Sequence, residues 1–139
     1  MKKLLLFVVV AIGVSILPTR GRLFAHHAFA AEFDAQKPVT LKGAIVKMEW
    51  FNPHAWLYID VKEADGKATQ WALEFSSAGQ LTRRGWRMGD LPVGAEVTVE
   101  AYRAKNGSNT ANAATVQLAD GRRLFAGSSG TGAPVEPPR

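Results

Sequence analysis

Val39, Leu41, Gly43 and Ile45 fall on one side of a two-residue alternation, with Thr40, Lys42 and Ala44 on the other. Alternation of this kind predicts a half-buried strand, with Gly43 as a bulge or bend. A short polar lead, residues 32–37, precedes it, and Asn52-Pro53 breaks it. A second strand sets Ala55, Leu57, Ile59 and Val61 against Trp56, Tyr58 and Asp60. Asp65-Gly66 then signals a tight hairpin. In the third strand Trp71, Leu73 and Phe75 alternate with Gln70, Ala72 and Glu74. Ser76-Ser77 can cap a short helical turn that includes Leu81 and Arg84, and Gly85 ends it. After the loop 89–94, Val97, Val99 and Ala101 alternate with Thr98, Glu100 and Tyr102 as a fourth strand. Asn106-Gly107 turns into a fifth, marked by Ala114, Val116 and Leu118, and Asp120-Gly121 turns into a short sixth piece at 122–125.

Three strands, a helical turn, then further strands is the element order of an OB-fold. The expected fold is therefore all-β: a small OB-fold-like Greek-key barrel over residues 26–125, with one short helix between strands three and four. A plain β-sandwich with an incidental helical turn is the competing architecture. Residues 126–139 are rich in Gly, Ser and Pro, have nothing to bury, and read as a disordered tail. No internal repeat is visible.

The chain opens differently. Lys2 and Lys3 precede an apolar run at 4–17, too short for the roughly 20 apolar residues of a spanning helix. That is the pattern of a cleaved secretory signal peptide, residues 1–25, and it predicts a periplasmic or secreted protein with no stable membrane span after processing. Three cut sites stay open on the residues alone. Ala28-Phe29-Ala30 is the best small-x-small match but would discard both His26 and His27. Thr19-Arg20-Gly21 leaves an Arg-rich start, and Leu23-Phe24-Ala25 makes His26 the new N-terminus.

Processing changes the charge as well. The whole chain is formally +5, but Lys2, Lys3, Arg20 and Arg22 all precede Ala25 with no acid among them, so the mature part carries +1. Its remaining charges are interspersed and leave no footprint for nucleic acid or an anionic membrane. There is no cysteine, so thiol nucleophiles, thiolate metal sites and disulfides are all excluded.

A metal site here must use histidines, carboxylates, methionines or the N-terminus. His26, His27 and His54 are the only histidines, and none lies inside an expected strand. A mature N-terminal His26 offers an amine and an imidazole together. With the His54 ring from the rim of the barrel, this is a three-nitrogen, T-shaped set that suits Cu(II) or another divalent metal. His27 is the accessory ligand, and Met48 or Met88 could add a soft ligand for Cu(I). The plain alternative is a solvated leader, with His54 a turn residue donating to a carbonyl.

The aromatics form a second constellation. Trp71 shares the phase of Leu73 and Phe75 and belongs to the core. Trp56 and Tyr58 are out of phase with Leu57 and Ile59 and should face outward or under a covering segment. OB barrels bind ligands across strands two and three, where Trp56, Tyr58, Gln70 and Glu74 would form a face for a glycan, peptide or protein partner. Simple packing is the alternative. No Gly-x-Ser-x-Gly, phosphate loop or recognisable carboxylate pair is present, so nothing reads as an enzyme. Arg83-Arg84-Gly85-Trp86-Arg87 reads as a solvated helix face anchored by Trp86.

The stretches His26-His27-Ala28-Phe29-Ala30-Ala31-Glu32-Phe33-Asp34, Leu41-Lys42-Gly43 and Trp50-Phe51-Asn52-Pro53-His54-Ala55-Trp56 carry a resemblance. So do Arg83-Arg84-Gly85-Trp86, Tyr102-Arg103-Ala104-Lys105-Asn106-Gly107-Ser108 and Asp120-Gly121-Arg122-Arg123-Leu124-Phe125. In combination they resemble a family of small secreted proteins of unknown function from Gram-negative bacteria, over nearly all of the mature chain. Members of that family begin this block directly after an Ala-x-Ala-type signal, which favours the cut after Ala25. Leu23 departs from the usual small residue there. The resemblance implies relatives and no reaction.

Overall fold

The computed structural model of the chain describes residues 27–127. The expected signal segment with His26, and the tail from 128 onward, lie outside the described residues. A short helix α1 (His27–Glu32) runs directly into a long strand β1 (Phe33–Glu49). β2 (Trp56–Lys62) and β3 (Ala68–Glu74) form a hairpin, followed by α2 (Ala78–Arg83) and a 3-10 turn at Met88–Asp90. β4 (Glu96–Ala104), β5 (Thr110–Gln117) and β6 (Arg123–Phe125) complete the order.

The strands run β3-β2-β1-β4-β5-β6, and β3 also pairs in parallel with β5. That seam closes β1, β2, β3, β5 and β4 into a ring, so the fold is an all-β barrel of the OB type. The helix between β3 and β4 stands where the sequence puts it. The Ser77 hydroxyl accepts from the Gln80 backbone N–H and caps α2, and Gly85, at φ 93°, ends it. Leu57, Ile59, Leu73, Phe75 and Val99 are fully buried inside the ring, and Trp71 lies with them. Trp86 packs its ring 5.7 Å from that of Phe75, and its Nε1–H donates to the Phe125 carbonyl at 2.9 Å.

Three expectations need correction. Residues 33–37 are not a lead: Phe33 pairs with Ala104, so β1 begins there. Gly43 is not a bulge, because it stands in register with both Val61 and Val97; the irregularity lies between Ile45 and Lys47. What Gly43 supplies is room, since a Cβ there would sit 2.5 Å from the Asp60 carbonyl oxygen. Packing also continues past 125: Ala126 is fully buried and its carbonyl accepts from the Ser76 backbone N–H.

α1 covers the outer side of β4 and β5. Phe29 meets the Tyr102 ring edge-on at 5.7 Å and forms a second small core with Phe33, Ala104 and Ala114. The Lys105 backbone N–H donates to the Glu32 carbonyl and its ammonium to the Ala30 carbonyl, tying α1 to the β4–β5 hairpin.

Candidate functional site

His54 sits at the end of the loop between β1 and β2, after a cis Asn52–Pro53 bond. The loop is pinned to the barrel end: the Ala55 N–H donates to the Ser76 carbonyl, and the Phe75 N–H to that of Ala55. These bonds bring the imidazole against the last residue of β3. His54 Nδ1 lies 3.2 Å from Glu74 Oε1 and 3.4 Å from the Phe75 carbonyl. Both are acceptors, so the ring proton belongs on Nδ1 and the lone pair on Nε2. Nε2 has no hydrogen-bond partner among the described residues.

Glu74 is only 8% exposed although its side chain is on the outer phase of the sheet. Across the seam it pairs in register with Asn112, whose Nδ2 donates to Glu74 Oε1 at 3.3 Å. Asn112 is 2% exposed, and its Oδ1 has no hydrogen-bond partner among the described residues. Burial pushes the Glu74 carboxyl above the usual carboxylate range. The charge of Glu32, from the end of α1, pushes the same way, while His54 and Asn112 oppose it. The last turn of the N-terminal helix is therefore close enough for the site to feel its charge.

The outer face reads as a row across the barrel. Trp56 pairs with Glu74, Glu74 with Asn112, and Asn112 with Tyr102, on which Phe29 of α1 rests. Trp56 and Tyr58 are half-buried, outside Leu57 and Ile59, so the strand phase is as read from the alternation. α1 does not lie over them: its aromatic contacts are with Tyr102, two strands away. Tyr58 is already engaged, with the Lys47 ammonium 4.2 Å over its ring and its hydroxyl donating to Glu49 at 3.2 Å. Gln70 pairs with Asp60 and is exposed. It is four residues from Glu74, or about 13 Å along the strand. The four face residues therefore do not converge; Trp56 and Glu74 form the one direct pair among them.

His27 opens α1, and His26 immediately precedes the described residues. Met48 packs against the core rather than standing at the rim, and Met88 is 74% exposed in the 3-10 turn. Among the described residues no three His, Asp or Glu side chains stand close enough to hold a metal ion. The barrel alone supplies one open imidazole.

Most of the other polar residues that the sequence singles out have structural partners. Arg84 donates to the Gly127 carbonyl and stacks on Phe125, so with Trp86 it fastens β6 and the residues after it. Arg103 lies over Trp71 and donates to the Gly107 carbonyl. Asn106 Oδ1 accepts from the Ser108 N–H and hydroxyl. Arg122 joins Asp90 and Asp120. His54 Nε2 is left without such a role among the described residues. The residue that sequence reading missed is Asn112, whose one available signal was a lone amide in an Ala-rich segment.

No curated protein and no solved structure matches the chain. A family does match, over residues 15–113, which takes in the leader histidines, His54, Glu74 and Asn112 but stops short of Asp120-Gly121-Arg122. The chain belongs to this family of unknown function, DUF6152.

Proposed function

We propose that this chain is a single-domain binding module that works outside the cytoplasm and holds a divalent metal, copper foremost, between its leader and its barrel rim. The ligands are His54 Nε2 from the barrel and, after cleavage behind Ala25, the α-amine and ring nitrogen of His26, with His27 accessory. The observation that carries the reading is His54 itself. Its Nδ1 is turned onto a buried carboxylate and a carbonyl, and its Nε2 has no hydrogen-bond partner among the described residues. Metal-binding histidines characteristically have this arrangement, with the second ring nitrogen donating to a carboxylate or carbonyl. An amine and two imidazoles in one plane suit Cu(II).

A second reading is favoured by one observation: Trp56 remains partly open beside Glu74 and is a stacking surface for a glycan, peptide or protein partner. The two readings respond differently to one change. A single alanine added before His26 displaces the amine from chelation and should abolish tetragonal Cu(II) binding, whereas binding on the Trp56 face should be indifferent to it. Tetragonal Cu(II) binding that survives the extension unchanged would remove the amine from the ligand set. The intact mass of the exported protein should correspond to a start at His26. A start at Ala31 would discard both leader histidines and end the reading.

A further inference from the structure

Glu74 and Asn112 make poor sense as barrel packing. They sit opposite each other on the seam that closes the ring, both buried, one a carboxylate and the other an amide whose carbonyl has no partner among the described residues. Burying such groups is costly, and an apolar pair of similar volume would close the same seam without that cost. Their arrangement has a consistent logic once His54 is included. The amide donates to Glu74 Oε1 from β5, and His54 Nδ1 approaches the same oxygen from the β1–β2 loop. Groups from two separate elements thus converge on one carboxylate oxygen carried by a third. We infer that Glu74, fixed by Asn112, is the positioning residue of His54: it holds the ring as the Nδ1–H tautomer and strengthens Nε2 as a donor to the metal.

This inference rests on the metal reading for its functional half, but the tautomer half stands alone. Glu74 is a fixed acceptor in its ionised form, and its burial leaves its charge little screened at the ring. The Asn112 amide sets the orientation of the carboxylate by donating with Nδ2, which turns its Oδ1 away from Glu74. A glutamine in place of Glu74 would keep the shape but could donate as well as accept, leaving only the 3.4 Å Phe75 carbonyl to keep the proton on Nδ1.

The test uses the full exported chain with its native N-terminus. Cu(II) affinity is measured by chelator competition for wild type, His54→Ala and Glu74→Gln, and the His54 tautomer is read by nitrogen NMR in metal-free protein. Glu74→Gln should weaken Cu(II) binding roughly 10–100-fold, the effect expected when such a supporting group is lost. It should also convert a single Nδ1–H tautomer into a mixture. Asn112→Leu should shift both measurements the same way by less. Wild-type affinity and an unchanged tautomer in Glu74→Gln, with binding lost in His54→Ala, would overturn the inference and leave the metal site standing. A loss in Glu74→Gln as complete as in His54→Ala would overturn it too, by making Glu74 a ligand. Unchanged affinity in His54→Ala would instead overturn the metal reading, and the NMR result would still decide whether Glu74 fixes the ring.

Discussion

Asn112 donates to Glu74 across the parallel β3–β5 seam, the two standing in register at the only place where the ring of strands closes on itself among the described residues. Three residue pairs make that seam, and parallel pairing is the slightly weaker kind. A buried carboxylate at such a point lowers stability where the fold has little to spare. Buried polar groups with shifted ionisation are also what functional sites tend to contain. The same relationship therefore identifies a weak point in the barrel and a support for His54, whose second nitrogen has no hydrogen-bond partner among the described residues.

The inner and outer phases of β2 should separate cleanly in stability. Leu57 is fully buried, and Leu57→Ala should cost about 2–5 kcal/mol. Trp56 is half-buried on the outer face, and Trp56→Ala should cost less despite removing more atoms. Urea unfolding of the two variants checks the order. A larger loss for Trp56→Ala would reverse the assigned faces.

Gly43→Ala should destabilise by about 1–3 kcal/mol, the usual cost of forcing extra volume into a packed site. The new methyl would meet the Asp60 carbonyl oxygen at 2.5 Å and its carbon at 2.9 Å, both backbone atoms that cannot rotate away. Hydrogen exchange should accelerate first along β2. An alanine variant as stable as wild type, with unchanged exchange, would contradict that close approach.

The contrast between Gly43 and the rest of the barrel shows what was legible in the sequence. Alternation and turn residues locate β2, β3 and β4, and the Asp65-Gly66 turn sets Trp56 opposite Glu74 by counting back along the hairpin. Gly43 is different, because a glycine that makes room across strands looks the same in sequence as one that makes a bulge. β5 is obscured for another reason: Ala111, Asn112, Ala113 and Ala114 are all buried, since α1 covers the outer side, and burial on both faces erases the two-residue period. α1 has six residues and no acidic first turn, too little for a local helix signal. Hairpin register reaches only Trp56 opposite Glu74, and the His54–Glu74 contact needed the loop bonds of Ala55 to Ser76 and Phe75, which leave no local mark. The Asn112 half of the site needed the β3–β5 closure, a pairing of strands far apart in sequence with no local marker.

Acid should weaken the fold through the Asp90–Arg122–Asp120 cluster. Burial pushes the Asp90 carboxyl up, but hydrogen bonds from the Arg122 guanidinium and the Arg87 backbone outweigh it and hold it below the usual range. The Arg122 backbone N–H, then its guanidinium, lower Asp120 likewise. Groups lowered in the folded state stabilise it above their unfolded values, near about pH 4, and that contribution is lost as pH falls through the folded values. Urea midpoints should therefore drop below about pH 4 in wild type. In Arg122→Ala they should start lower at neutral pH and fall less steeply in acid. An identical acid slope in both proteins would contradict the account.

The most direct measurement is a Cu(II) titration of protein beginning at His26, with and without His54. Wild type should bind about one equivalent, with a tetragonal, nitrogen-rich paramagnetic spectrum. Affinity should fall as pH drops through the amine and imidazole titrations. His54→Ala should weaken binding strongly and alter that spectrum, because the leader alone offers an incomplete set of ligands. An unchanged affinity and spectrum in His54→Ala would contradict the account, making the leader a chelating tail and leaving the barrel rim no part in holding metal.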